Sequence, residues 1–103
     1  MKRGEIRWYT FSPPDKQRPV LILTRTAVLT YLGEITVAPI TTTVREIPSE
    51  VFLDRDDGMP RPCAVNCDHL QTVVKAKIGS LITTLPAAKM EQVRRPLRLA
   101  LDL

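Results

Sequence analysis

Apolar and polar residues alternate near the start of the chain. From Glu5 to Phe11, Ile6 and Trp8 fall on one face while Arg7 and Tyr9 fall on the other, which predicts a strand. Ser12-Pro13-Pro14-Asp15 ends it, because a proline cannot donate to a ladder. Pro19-Val20-Leu21-Ile22-Leu23 is an unbroken apolar run, the pattern of a central strand buried on both faces. Glu34 to Thr42 is rich in β-branched residues and predicts a third strand, with Pro39 marking a bulge or an edge. Thr43 to Glu50 is polar, contains Pro48 and reads as a loop. Val51-Phe52-Leu53 is a short strand, and Asp56-Asp57-Gly58 is a turn. Two further strands are expected around Cys63 to Asn66 and Leu70 to Val73, and another within Lys77 to Thr83.

The period changes near the C-terminus. Met90, Val93, Leu97, Ala100 and Leu101 fall on one helical stripe. Pro86 suits the first turn of that helix, whereas Pro96 lies in its interior and predicts a kink or a split. Many short strands followed by one helix predict a mostly β fold. The expected architecture is a small antiparallel barrel with a C-terminal helix packed on it, one domain over residues 1–103.

Composition narrows the function classes. With 103 residues, 44% hydrophobic and 25% charged, the chain can build one modest core and is not a disordered tail. No apolar run approaches the roughly 20 residues of a membrane span, and no signal-peptide pattern appears, so a cytoplasmic location is expected. Fifteen Lys and Arg against eleven Asp and Glu give a net charge of +4, which permits a polyanionic partner without demanding one. Cys63, Cys67 and His69 lack the Cys-x-x-Cys spacing and the second ligand pair of a zinc site, so neither metal nor cofactor is expected. The two thiols read as small buried side chains.

The sequence carries no Ser-His-Asp arrangement and no phosphate-cradling glycine loop. Chemistry would fall to arginine, threonine and one carboxylate. Cleavage of RNA suits such a set, because the substrate's own 2′-hydroxyl is the nucleophile. The protein must remove its proton, stabilise charge on the phosphate and protonate the leaving oxygen.

Several segments, in order, carry a resemblance. They are Gly4-Glu5-Ile6-Arg7-Trp8, Gln17-Arg18-Pro19-Val20-Leu21-Ile22-Leu23, Val37-Ala38-Pro39-Ile40-Thr41-Thr42 and Pro48-Ser49-Glu50-Val51. Ala64 to Val73, Ile78-Gly79 and Leu85-Pro86 follow. Together they resemble the MazF/PemK family of toxin endoribonucleases over nearly the whole chain. The resemblance implies an SH3-like barrel of the CcdB/PemK type and a homodimer with an RNA groove across its interface. It implies metal-independent cleavage of single-stranded RNA to a 2′,3′-cyclic phosphate and a 5′-hydroxyl, and an antitoxin partner with an acidic, partly disordered C-terminal region. The family's catalytic arginine and threonine fall on Arg18 and Thr41. Many members carry a longer first loop with a glutamate proposed as the base; here the nearest carboxylate is Asp15, with Arg18 itself or His69 as alternatives. The implied RNA contacts are Phe11, Ser12, Lys16, Gln17, Thr42, Thr43, Asp68, His69, Gln71 and Thr72, with Phe11 placed to stack on a base. The alternative is a CcdB-like toxin that binds a topoisomerase and cleaves nothing.

Overall fold

A computed structural model describes residues 1–12 and 16–103. The elements run β1 (Glu5–Thr10), β2 (Gln17–Ile22), α1 (Thr26–Leu29), β3 (Glu34–Thr41), β4 (Glu50–Leu53), β5 (Cys63–Asn66), β6 (Gln71–Val74), β7 (Leu81–Thr84) and α2 (Ala87–Leu101). All strand pairings are antiparallel, in the order β4-β5-β3-β2-β1-β7, and β6 pairs with β3 as well. The sheet curls into a half-barrel, and α2 packs over β4 and the turn at Cys67–His69. No helix is long and apolar enough to cross a membrane among the described residues.

The continuous apolar run is the central strand, and it separates two hydrophobic clusters. Leu21 joins Ile6, Ala38, Ile40, Leu53, Val65 and Val93 inside the barrel. Val20 and Ile22 join Leu29, Ile35, Val37 and Val73 on the outer face. This follows from the two-residue alternation of a strand: even and odd positions of β2 serve different cores. The stripe of α2 closes the inner cluster through Val93, with Met90, Leu97 and Ala100 packed beside it; Leu101 departs from the stripe and is exposed.

Pro39 is neither at an outer edge of the sheet nor, by its register, in a bulge. It sits opposite Val20 in a regular pairing. The Thr36 carbonyl accepts from the Leu23 amide, so even positions of β3 bond toward β2 and Pro39 turns toward the other side. On that side β6 pairs only as far as Val37, and β5 begins at Ile40. The missing N–H falls where β3 changes partner, so no ladder bond is lost.

Helix α2 runs through Pro96 without splitting, contrary to the split that its interior proline allowed for. The carbonyl that a residue-96 amide would have served belongs to Gln92, which is exposed to water, so the missing bond leaves nothing buried unpaired. The predicted turn at Asp56-Asp57-Gly58 is a short 3-10 segment closed by Gly58 at φ +91°. A Cβ there would lie 2.3 Å from the Thr83 hydroxyl oxygen, so both the backbone and the space demand glycine.

Candidate nucleic-acid interface

The site forms where β1, β2 and β3 end together at the mouth of the barrel. Arg18, the second residue of β2, is exposed and stands between two hollows. One, of about 560 Å³, opens from the barrel mouth, floored by Trp8, Ile40, Met59 and Cys63 and rimmed by Lys16, Gln17, Thr42 and Thr43. The other, of about 190 Å³, lies on the outer face between Phe11, Pro39, His69 and Gln71. Arg18 lines both, and it carries a charged planar fork with donors on two edges.

Strand register accounts for this arrangement. Tyr9 pairs with Arg18 and Arg7 with Val20, so Arg7, Tyr9 and Phe11 share the outer face with Arg18. The rings of Tyr9 and Phe11 meet edge to face at 4.8 Å, which steadies Phe11 beside the outer hollow. Trp8 follows the phase of Ile6 and is half-buried, forming a wall of the mouth instead of an outer stacking surface. Arg7 is committed elsewhere: its Nε donates to Glu5 Oε1 at 2.8 Å and its Nη1 to the Gly79 carbonyl at 3.1 Å. Burial alone would raise the Glu5 carboxyl, but the hydrogen bond and charge of Arg7 hold it below its usual range.

Thr41 ends β3. It lies two residues past Pro39 and in the same phase, so its side chain takes the same face of the strand as that of Pro39, which lines the outer hollow with Arg18. Its Oγ1 accepts from the Thr43 amide at 3.1 Å, which orients the hydroxyl and leaves its proton free to donate. Thr41 lines neither hollow; its neighbours Thr42 and Thr43 line the mouth and Pro39 the outer one.

The remaining expected contacts divide. Lys16, Gln17, Thr42 and Thr43 gather at the mouth, and Phe11, His69 and Gln71 at the outer hollow. Asp68, exposed and outside both hollows, shapes the adjoining turn. Its carboxylate accepts from the Ser49 hydroxyl, and its amide donates to Asn66 Oδ1 at 3.0 Å, which builds the 3-10 turn that delivers His69. Thr72 pairs with Thr36, one position out of phase with Gln71, so it faces away from the Arg18 side. Ser12 is exposed beside the segment 13–15. Asp15 lies outside the described residues. Sequence reasoning did not single out Arg61, which rims the mouth from the β4–β5 connection.

Cys63 and Cys67 are buried free thiols in the inner cluster. Burial, then the negative charge of Asp68, pushes Cys67 up to about 11; burial, then Asp57 and Asp54, raises Cys63. Both are held as neutral thiols at physiological pH, unsuited to nucleophilic work. Among the described residues no three His, Cys, Asp or Glu side chains converge to hold a metal ion.

Comparisons with known proteins bear on the fold and the family. Endoribonuclease MazF3 of Mycobacterium tuberculosis is 44% identical over 89 residues, 86% of each chain. The structure of Mycobacterium tuberculosis toxin MazF-mt6 superposes with a TM-score of 0.88 at 40% identity, covering 96% of this chain and 97% of that one. An endoribonuclease from a mycobacterial species, solved in complex with its cognate antitoxin, superposes with a TM-score of 0.88 at 25% identity, covering 100% of this chain and 96% of that one. The half-barrel with its terminal helix is thus the CcdB/PemK fold. A family model described as PemK-like, MazF-like toxin of type II toxin-antitoxin system matches residues 2–101, so the chain belongs to the PemK/MazF toxin family.

Proposed function

We propose that the chain is the toxin of a type II toxin–antitoxin pair, a cytoplasmic endoribonuclease that cleaves single-stranded RNA without a metal. The observation that carries this reading is Arg18 between two hollows, each able to take a residue of an unpaired strand while the guanidinium grips the phosphate between them. Relatives named endoribonuclease support it.

The chemistry follows from the groups present. A base takes the proton of the 2′-hydroxyl, whose oxygen attacks the adjacent phosphorus. The bond to the 5′-oxygen breaks, and that oxygen takes a proton from solvent, to which the base returns the one it removed, leaving a 2′,3′-cyclic phosphate and a 5′-hydroxyl. Arg18 stabilises the charge that peaks on the phosphate oxygens, and Thr41 donates to one of them. Asp15 is the nearest carboxylate in sequence to serve as base; His69, beside Arg18 at the outer hollow, is the alternative. No activated water is needed, because the substrate brings its own nucleophile.

The working unit is a symmetric homodimer. Leu99, Leu101 and Leu103 are 57%, 52% and 77% exposed at the end of α2, and Leu32, 42% exposed, lines a hollow with Leu101 and Leu103, an apolar surface that a second copy would cover. An acidic antitoxin tail suits the basic rim of the mouth and would block it on binding. Sedimentation at about 23 kDa, twice the 11.6 kDa chain, and loss of cleavage on adding antitoxin check these two assemblies.

The deciding experiment is incubation of the protein with a short RNA in EDTA. Cleavage is expected to persist and to stop when a single 2′-deoxy sugar replaces the scissile ribose. Cleavage that requires a divalent ion and tolerates the deoxy sugar overturns the mechanism; intact RNA under all conditions favours the topoisomerase-binding reading.

A further inference from the structure

We infer that Arg61 is a substrate-gripping residue, and that the barrel mouth is a subsite reading a pair of hydrogen-bond acceptors next to the scissile phosphate. This deepens the nuclease reading and rests on it. Three cations, Lys16, Arg18 and Arg61, line one hollow, and among the described residues no carboxylate lines it with them. The polar side chains between them are the hydroxyls of Thr42 and Thr43 and the amide of Gln17. The floor is apolar and aromatic, with Trp8, Ile40 and Met59. A floor that takes a flat base and a rim dominated by donors fit a nucleotide presenting acceptors at its edge.

The backbone holds Arg61 ready. It lies between Pro60 and Pro62, so φ is fixed on either side and Arg61 itself is driven toward an extended conformation. The first half of the same connection is pinned at several points. Asp54 and Asp57 close a reciprocal cap, Thr83 Oγ1 donates to the Asp57 carbonyl at 3.2 Å, and Lys89 Nζ lies 3.6 Å from Asp57 Oδ1. An exposed arginine on a freely moving loop would lose side-chain and backbone entropy on binding; a stiffened connection reduces that cost. The prolines and the cap together make Arg61 a pre-positioned donor on the hollow that Arg18 also lines.

Two sources supply paired acceptors on RNA: the oxygens of a flanking phosphate, and the O6 and N7 atoms of guanine. The test separates them. A short RNA with one 2′-deoxy sugar at the scissile position, which the proposed mechanism cannot cut, is titrated against wild type, Arg61→Ala and Arg61→Lys at several salt concentrations. The cleavage-site preference of each protein is then read by sequencing the 5′ ends of products from a random RNA pool. Arg61→Ala is expected to weaken binding about tenfold with its melting temperature unchanged, raising KM more than it lowers kcat, and Arg61→Lys is expected to recover part of the loss. A flanking phosphate is the partner if the salt dependence of log Kd also falls by about 0.7. A guanine edge is the partner if that slope holds and preference relaxes at one position beside the cut. Binding, slope and preference all equal to wild type overturn the assignment. Wild-type protein that leaves the all-ribose RNA intact overturns the nuclease reading instead, while the Arg61 contact is still decided by Kd.

Discussion

The two faces of the central strands differ in how they end. On the inner face Leu21, Ala38 and Ile40 meet side chains from β4, β5 and α2, and Val93 seals the cluster without exposure. On the outer face the cluster built on Val20, Ile22, Val37 and Val73 is smaller and thins toward Tyr9 and Phe11, where it opens into the hollow beside Arg18. One strand thus anchors the fold with Val20 to Ile22 and presents Gln17 and Arg18 to solvent. Rigid support and solvent access, which a loop would have to trade against each other, are separated by only a few residues along β2.

The contrast can be broken first at Arg18. Replacement by Ala is expected to lower single-turnover RNA cleavage by about 10² to 10³ with no change in melting temperature. Arg18→Lys is expected to be nearly as damaging, because lysine keeps the charge and loses the fork. Thr41→Ala should be milder, since a single neutral hydroxyl is removed. A folded Arg18→Ala protein that cuts RNA at near-native rate would remove the outer face from the chemistry.

The inner face should show the opposite signature. Leu21 has no exposure, and Leu21→Ala is expected to cost about 3 kcal/mol in urea unfolding. The fraction that stays folded should still cleave. A loss below about 1 kcal/mol would mean that the barrel interior is not where stability resides.

Alkali sharpens the comparison more gently. Cys67 has its folded pKa raised from 9.0 to about 11, so the folded state holds its proton more tightly than the unfolded chain does. The associated stability is complete below pH 9 and is lost as pH rises from 9 toward 11. Unfolding free energy should therefore fall across that window by up to about 2 to 3 kcal/mol. In Cys67→Ala the decline should flatten; an unchanged pH profile in that variant would show that the thiol is not the titrating group.

Much of this was legible in the chain because its signals are local. The Pro19–Leu23 run is short and continuously apolar, the pattern of a doubly buried strand, and the stripe from Met90 to Ala100 has the spacing of a helix face. Arg18 was found through the motif that it opens. Helix α1 escaped notice because its four residues, Thr26–Leu29, span barely one turn and show no period. The opposite phases of Gln71 and Thr72 depend on which residue of β6 meets Val37, a pairing between distant segments. Arg61 was hidden for a related reason. Pro-Arg-Pro reads as an unremarkable connection until the fold brings it to the same hollow as Arg18, more than forty residues earlier in the chain.

The partner change at Pro39 also limits the sheet itself. With no amide hydrogen at that position, β6 cannot zip further along β3 toward β5, nor β5 back toward β6. A slipped alignment, or a strand from a neighbouring molecule seeking to fill the notch, meets the same missing donor. The chain leaving β5 must therefore swing out before it returns as β6. That detour is the turn carrying His69, so a single imino acid both guards the sheet against mispairing and keeps a gap open beside Arg18.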